Sequence, residues 1–100
     1  MAPTFEFASF TVREGEEQAL IDERPAMIAA LKAAFPGLIA AWLTRQDDGI
    51  WLDTILWETR AAAEDAAARV NDVAEARDWF SHIETSYGLR HAEVVHAADP

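Results

Sequence analysis

The chain contains no cysteine, which excludes disulfides, thiolate-bound zinc or iron–sulfur centres and a thiol nucleophile, and leaves folding to a hydrophobic core or a partner chain. Basic residues are scarce: eight Lys and Arg face eighteen Asp and Glu, for a formal charge of −10. Such a surface repels phosphate backbones and anionic lipid, so neither nucleic acid nor a membrane is an expected partner. The four glycines stand singly at positions 15, 37, 49 and 88, so there is no phosphate-cradling loop and no dinucleotide fingerprint. Ser9, Ser81 and Ser86 lack the Gly-x-Ser-x-Gly setting of an acyl-transfer nucleophile. The longest apolar runs, 26–31 and 38–43, fall well short of the roughly 20 residues of a spanning helix, and no basic-then-apolar leader precedes them. The expectation is a cytoplasmic protein without cofactor or metal.

What is present is carboxylates, indoles, histidines and alanine. One hundred residues, 51% of them hydrophobic, predict a single domain over 1–100 with its core at about 4–97. Phe5 to Val12, rich in aromatic and β-branched residues, reads as a first strand. From Glu16 to Phe35 the period becomes helical through Leu20, Met27, Leu31 and Phe35. Pro25 is expected to kink that helix or to start it afresh, and Pro36-Gly37 to stop it. Leu38–Arg45 and Ile50–Trp57, joined through Asp48-Gly49, predict an antiparallel hairpin. Thr59 can cap a second helix, with a possible break and new capping box at Asn71-Asp72 and Glu75. That helical region is expected to end at Tyr87-Gly88, and Leu89–Ala97 to form the last strand, with Met1–Thr4 and Ala98–Pro100 frayed. The order β-α-β-β-α-β predicts an α+β, ferredoxin-like fold with a four-stranded antiparallel sheet.

A sheet with helices on one side alone alternates apolar with polar residues. Here Phe5 and Phe7 oppose Ala8, Phe10 and Val12. In the hairpin Ala40, Trp42, Ile55 and Trp57 are expected on one face, with Ala41, Leu43, Leu52 and Leu56 on the other. Two helices can cover only one apolar face, so a homodimer packed through the sheet is expected.

Taken together, Phe5–Val12, the acidic helix closed by Phe35-Pro36-Gly37, and Gly49-Ile50-Trp51-Leu52-Asp53 leading to Trp57-Glu58-Thr59 and an Ala-rich helix resemble the antibiotic biosynthesis monooxygenase family, over about residues 4–97. The resemblance implies a dimeric α/β barrel built of ferredoxin-like halves. The family includes cofactor-free oxygenases of polycyclic phenols, quinol oxidases, haem-degrading enzymes and domains without known activity. The haem-degrading branch uses an Asn on the first strand, the Trp before the second helix and a His within that helix. Here only Trp57 matches, since Ala8 or Ser9 and Ala67 occupy the other positions, and haem cleavage is not expected.

Cofactor-free oxygenation asks a protein to bind an electron-rich anthrone- or quinol-like molecule, remove a proton and exclude water, after which the substrate anion reduces dioxygen itself. Trp57 can wall an aromatic pocket and donate its indole N–H to an oxyanion. Asp53, on the strand face of Trp51 and Trp57, is a candidate base if poorly solvated, or else an anchor for backbone or an Arg. His91 is a candidate reaching in from the last strand. Trp51, Trp42, Phe10, Trp79 and His82 are candidate substrate contacts, Trp42 being placed beside Ile55 and equally open to a packing role. His91 and His96 are five apart on the expected strand and cannot share a metal. The leading reading is a small aromatic oxygenase or oxidase; the alternatives are a non-catalytic dimeric binding module and a lactone isomerase-like enzyme.

Overall fold

The computed structural model describes residues 2–98. Strand β1 (Thr4–Val12) is followed by α1 (Glu17–Ala34), the hairpin β2 (Leu38–Arg45) and β3 (Trp51–Trp57), then α2 (Arg60–Arg69), a 3₁₀ turn (Val70–Asp72), α3 (Ala74–Phe80) and β4 (Ile83–Glu93). The sheet is antiparallel throughout, in the order β2-β3-β1-β4. This is the ferredoxin-like arrangement expected from the order of apolar patterns. Frayed ends at Met1, Asp99 and Pro100 lie outside the described residues, but Thr4 is not frayed: it is 1% exposed, and the Val94 N–H donates to the Pro3 carbonyl.

The helices lie on one face of the sheet. Leu20, Met27 and Leu31 of α1, Ala63 and Ala66 of α2, and Ala76 and Trp79 of α3 meet Phe10, Leu38, Trp51, Ile55 and Trp57 in one core. Phe10 stacks on Trp51 and meets Trp79 edge-on, and the Trp79 indole N–H donates to the Leu20 carbonyl at 2.7 Å. Gly37 is required by close approach: a Cβ there would sit 2.9 Å from the Ala62 Cβ, where the turn after α1 crosses the start of α2.

Four local expectations are corrected. Helix α1 does not begin afresh at Pro25 but runs through it. Pro25 lies on the exposed side, where a carbonyl without its helical partner can be hydrated. Thr59 does cap α2 through the Ala62 N–H, and the break after Arg69 is present, but α3 follows Val73 without a side-chain cap, so the Asp72–Glu75 box does not form. The last strand starts at Ile83, not Leu89, and ends at Glu93, leaving Ala97 and His96 outside it. Gly88, with φ 93°, lies within β4, where a register shift between the partners of Ala8 and Phe10 marks a bulge. Finally, a register shift between Leu38 and Ala40 inverts the parity of β2. Ala41 and Leu43 face the helices with Ile55 and Trp57, while Ala40 and Trp42 join Leu52 and Leu56 on the outer face. Trp42 therefore lies opposite Thr54, not beside Ile55.

Candidate functional site

Between the middle of the sheet and the helices lies a cavity of about 80 Å³. A site needs roughly 10–15 Å³ by this measure to hold one water, and a cavity of about 150 Å³ takes up benzene, so the space is that of a single small ring at most, with slight expansion of its walls. Its floor is Glu6, Ala8, Asp53, Ile55, Trp57 and Leu89; its roof is Met27 and Leu31 of α1, Ala66 and Ala67 of α2, Val70 and Phe80. The hollow owes its existence to small side chains at Ala8, Ala66 and Ala67, which a larger residue at any one of them would fill.

Sheet register places the polar groups. Glu6, on the central strand β1, lies opposite Ile55 of β3 and opposite His91 of β4. Asp53 and Trp57, two residues either side of Ile55, are its diagonal neighbours, within reach of long side chains. The His91 Nε2 is 3.5 Å from Glu6 Oε1, and both side chains are nearly buried. Neither atom has a hydrogen-bond partner among the described residues. Burial pushes the Glu6 carboxyl up to about 7, and the negative Asp53 adds to the rise. Asp53 is engaged: its Oδ1 accepts from Arg24 Nη2 at 2.6 Å, with both side chains close to 10% exposed. Arg24 also lies over the Trp79 ring.

Two of the buried indoles, Trp57 and Trp79, differ in their hydrogen bonding. Trp79 spends its N–H on a backbone carbonyl, whereas Trp57, 1% exposed and set edge-on against Phe35, has a buried Nε1 with no partner. Buried polar groups are nearly always satisfied, so the indole N–H of this cavity-lining side chain is a donor without an acceptor among the described residues.

Of the residues singled out from sequence, Trp57 and Asp53 line the cavity and His91 stands behind Glu6. The others lie elsewhere. Phe10 and Trp79 fill the adjoining core, Trp51 stacks between Phe10 and the Arg45 guanidinium, and Trp42 is 48% exposed on the outer face. His82 is clasped between Glu16, 2.8 Å from Nδ1, and Glu23, 3.0 Å from Nε2. These hydrogen bonds, Glu16 first, raise its pKa, and they tie α1 to the start of β4. Sequence reading missed Glu6 and Arg24. The signal for Glu6 was its shared parity with Ala8 and Phe10; Arg24 carried none beyond the general possibility that Asp53 anchors an Arg. Among the described residues no group of three or more His, Asp or Glu is placed to hold a metal ion, and no helix is long and apolar enough to cross a membrane.

No family model matches the sequence, and no curated protein is significantly similar to it. Solved structures do match, over nearly the whole chain. SnoaB, a cofactor-independent oxygenase from Streptomyces nogalater, superposes with a TM-score of 0.69 at 18% identity, covering 99% of this chain and 97% of that one. A protein from Caulobacter crescentus, described as a candidate antibiotic biosynthesis monooxygenase, gives 0.70 at 14% identity over 95% and 92%. A dimeric ferredoxin-like protein from an uncultured marine organism gives 0.68 at 9% identity over 100% and 94%. The chain has the fold of these proteins. At such identities the likeness is one of architecture, and the chemistry rests on the cavity.

Proposed function

We propose that the protein is a cofactor-independent oxidase or monooxygenase of the antibiotic biosynthesis monooxygenase kind, acting on a small hydroxylated aromatic, quinol-like molecule held in the cavity beside Trp57. The observation that carries this reading is the buried, unpartnered indole N–H of Trp57 at the wall of a mostly apolar hollow. The apolar walls select a flat ring, Trp57 donates to the substrate oxygen as negative charge develops on it, and enclosure under α1 and α2 keeps water from the reduced intermediate. Asp53, held by Arg24, fixes the charge of the wall, and His91 completes the polar row. The cavity volume favours a single ring, and so the quinol-like over the three-ring anthrone-like class. The shared fold with a cofactor-independent oxygenase supports the reading.

Oxygen consumption with a panel of hydroquinones and anthrones tests it directly. Uptake is expected to be highest with the smaller hydroquinones, and Trp57→Phe to lower kcat by about 10²-fold, the scale of losing one donor to an oxyanion. No uptake above the buffer rate with any substrate contradicts the reading.

The outer face of the sheet supports a homodimer. Phe5, Phe7, Ala40, Trp42, Leu52 and Leu56 lie on it, Phe5 stacking on Phe7 at 5.7 Å and tilting against Trp42 at 6.3 Å. Water contact along this row is costly at roughly 1.5–3 kcal/mol per large side chain, and a second copy packed sheet to sheet removes it. Sedimentation at micromolar concentration is expected to show twice the 11.1 kDa chain mass, and Phe7→Lys to yield monomer; a monomeric wild type contradicts the dimer.

A further inference from the structure

We infer that Glu6 is the proton acceptor of the cavity, and that the cavity therefore takes aromatic ligands carrying an ionisable hydroxyl in preference to aprotic ones. The inference rests on the oxidase reading of the same cavity and adds to it the group that removes the proton.

Two carboxylates line the hollow and one imidazole stands next to it, and their surroundings separate the three. Asp53 has its Oδ1 occupied by Arg24 at 2.6 Å, so that oxygen is already spent on a guanidinium. His91 does not itself line the cavity and stands behind Glu6, its Nε2 3.5 Å from Oε1. Glu6 lines the cavity and is nearly buried; its Oε1 lies toward His91, and neither carboxylate oxygen accepts a hydrogen bond among the described residues. It is thus the carboxyl with free acceptor capacity where a ligand would lie.

The charged groups that bear on Glu6 come from three elements: Asp53 on β3, His91 on β4, and Arg24 on α1, the last through Asp53. The parts of α2, the 3₁₀ turn and α3 that roof the cavity contribute only Ala66, Ala67, Val70 and Phe80. Burial and Asp53 place the Glu6 carboxyl at about 7, where a base is both ionised in useful amount and strong enough to draw on a phenol. In the step, a Glu6 carboxylate oxygen forms the new O–H bond as the phenol O–H breaks. The electron pair stays on the phenolate oxygen, so net charge is conserved. Oxidation of a hydroquinone then passes two electrons and two protons to dioxygen, giving quinone and hydrogen peroxide.

Two measurements test this, and they fail separately from the oxidase reading. In the first, which needs no oxygen chemistry, 4-nitrophenol is titrated calorimetrically at about pH 8 in buffers of different ionisation enthalpy. There the free probe and free Glu6 are both mainly ionised. Binding to wild type is expected to take up close to one proton as Glu6 shares it with the probe oxygen. Glu6→Gln is expected to bind with no uptake. Unchanged uptake in Glu6→Gln, no uptake in wild type, or no binding overturns the inference. In the second, the pH dependence of kcat/KM for hydroquinone oxidation is expected to rise through an inflection near 7 in wild type. Glu6→Gln is expected to lose that inflection and at least about 10²-fold in kcat. An inflection and rate retained in Glu6→Gln overturn the inference while leaving the oxidase reading intact. Proton uptake as expected, with no oxygen consumption from any hydroquinone, keeps the acceptor and removes the oxidase.

Discussion

Arg24→Met is expected to destabilise the protein by about 3–5 kcal/mol, the usual consequence of removing one partner of a buried ion pair. The Arg24–Asp53 contact is 2.6 Å, with side chains 11% and 9% exposed. Without the guanidinium, Asp53 is left as an uncompensated charge beside Glu6, and the packing of the guanidinium on Trp79 at 5.1 Å is lost as well. The large effect comes from the orphaned charge and not from the intrinsic value of the pair. The double variant Arg24→Met with Asp53→Asn is therefore expected to recover much of the loss. Urea unfolding of the two single variants and the double variant checks this. A double variant as unstable as the sum of the singles contradicts the account of the pair.

Glu6→Gln is expected to stabilise the protein, and to do so only at higher pH. The Glu6 carboxyl ionises at about 7 in the folded chain against 4.5 for a free side chain. Between those values the folded state holds a proton that the unfolded state has released, so folding stability falls as pH rises through this window. Below about 4.5 the group contributes no penalty; above 7 the penalty is complete, roughly 3 kcal/mol at 1.36 kcal/mol per pH unit of displacement. A neutral amide of the same shape escapes it. Thermal melts at about pH 4 and 8 are expected to show near-identical Tm values for wild type and variant at the lower pH. At the higher pH the variant is expected to gain on the order of 10 °C or more, using about 4–8 °C per kcal/mol for a domain of this size. Equal melting curves at both values contradict a buried, weakly acidic Glu6. Carrying a destabilising carboxylate in the cavity wall is the pattern of a group kept for chemistry.

The hairpin was legible because its signals are local. Asp48 accepts from the Ile50 N–H and Gly49 takes a positive φ, both properties of the residue types themselves. The Thr59 cap was legible on the same grounds, whereas the break expected at Asn71-Asp72 rested on a capping box that does not form, and the helix ends at Arg69. The start of β4 was not. Phe80 and Ile83 are spaced as on a helix, and what makes Ile83–Tyr87 a strand is pairing with Phe10–Val12, some seventy residues away in the chain. Nor were the hairpin faces legible, because one extra residue near Ile39 inverts every side chain beyond it. At the site, Trp57 and Asp53 declared themselves as chemistry-bearing residues at alternate positions of one strand. Glu6 stood on the same inward face as Ala8 and Phe10, but it sits between Phe5 and Phe7, whose apolar character dominates the local reading. Arg24 reaches Asp53 across 29 residues, a contact that no local pattern announces.

Isothermal titration of a one-ring hydroquinone under nitrogen, into wild type and into Ala67→Phe, tests most directly that the hollow beside Trp57 is the ligand site. Ala67 lines the roof of that hollow and its side chain is a single methyl, so a phenyl ring there occupies the space without adding charge. Binding of one molecule per chain to wild type, lost in an Ala67→Phe protein whose circular dichroism is unchanged, is the predicted result. Equal affinity in the two proteins would place the ligand elsewhere and contradict the account.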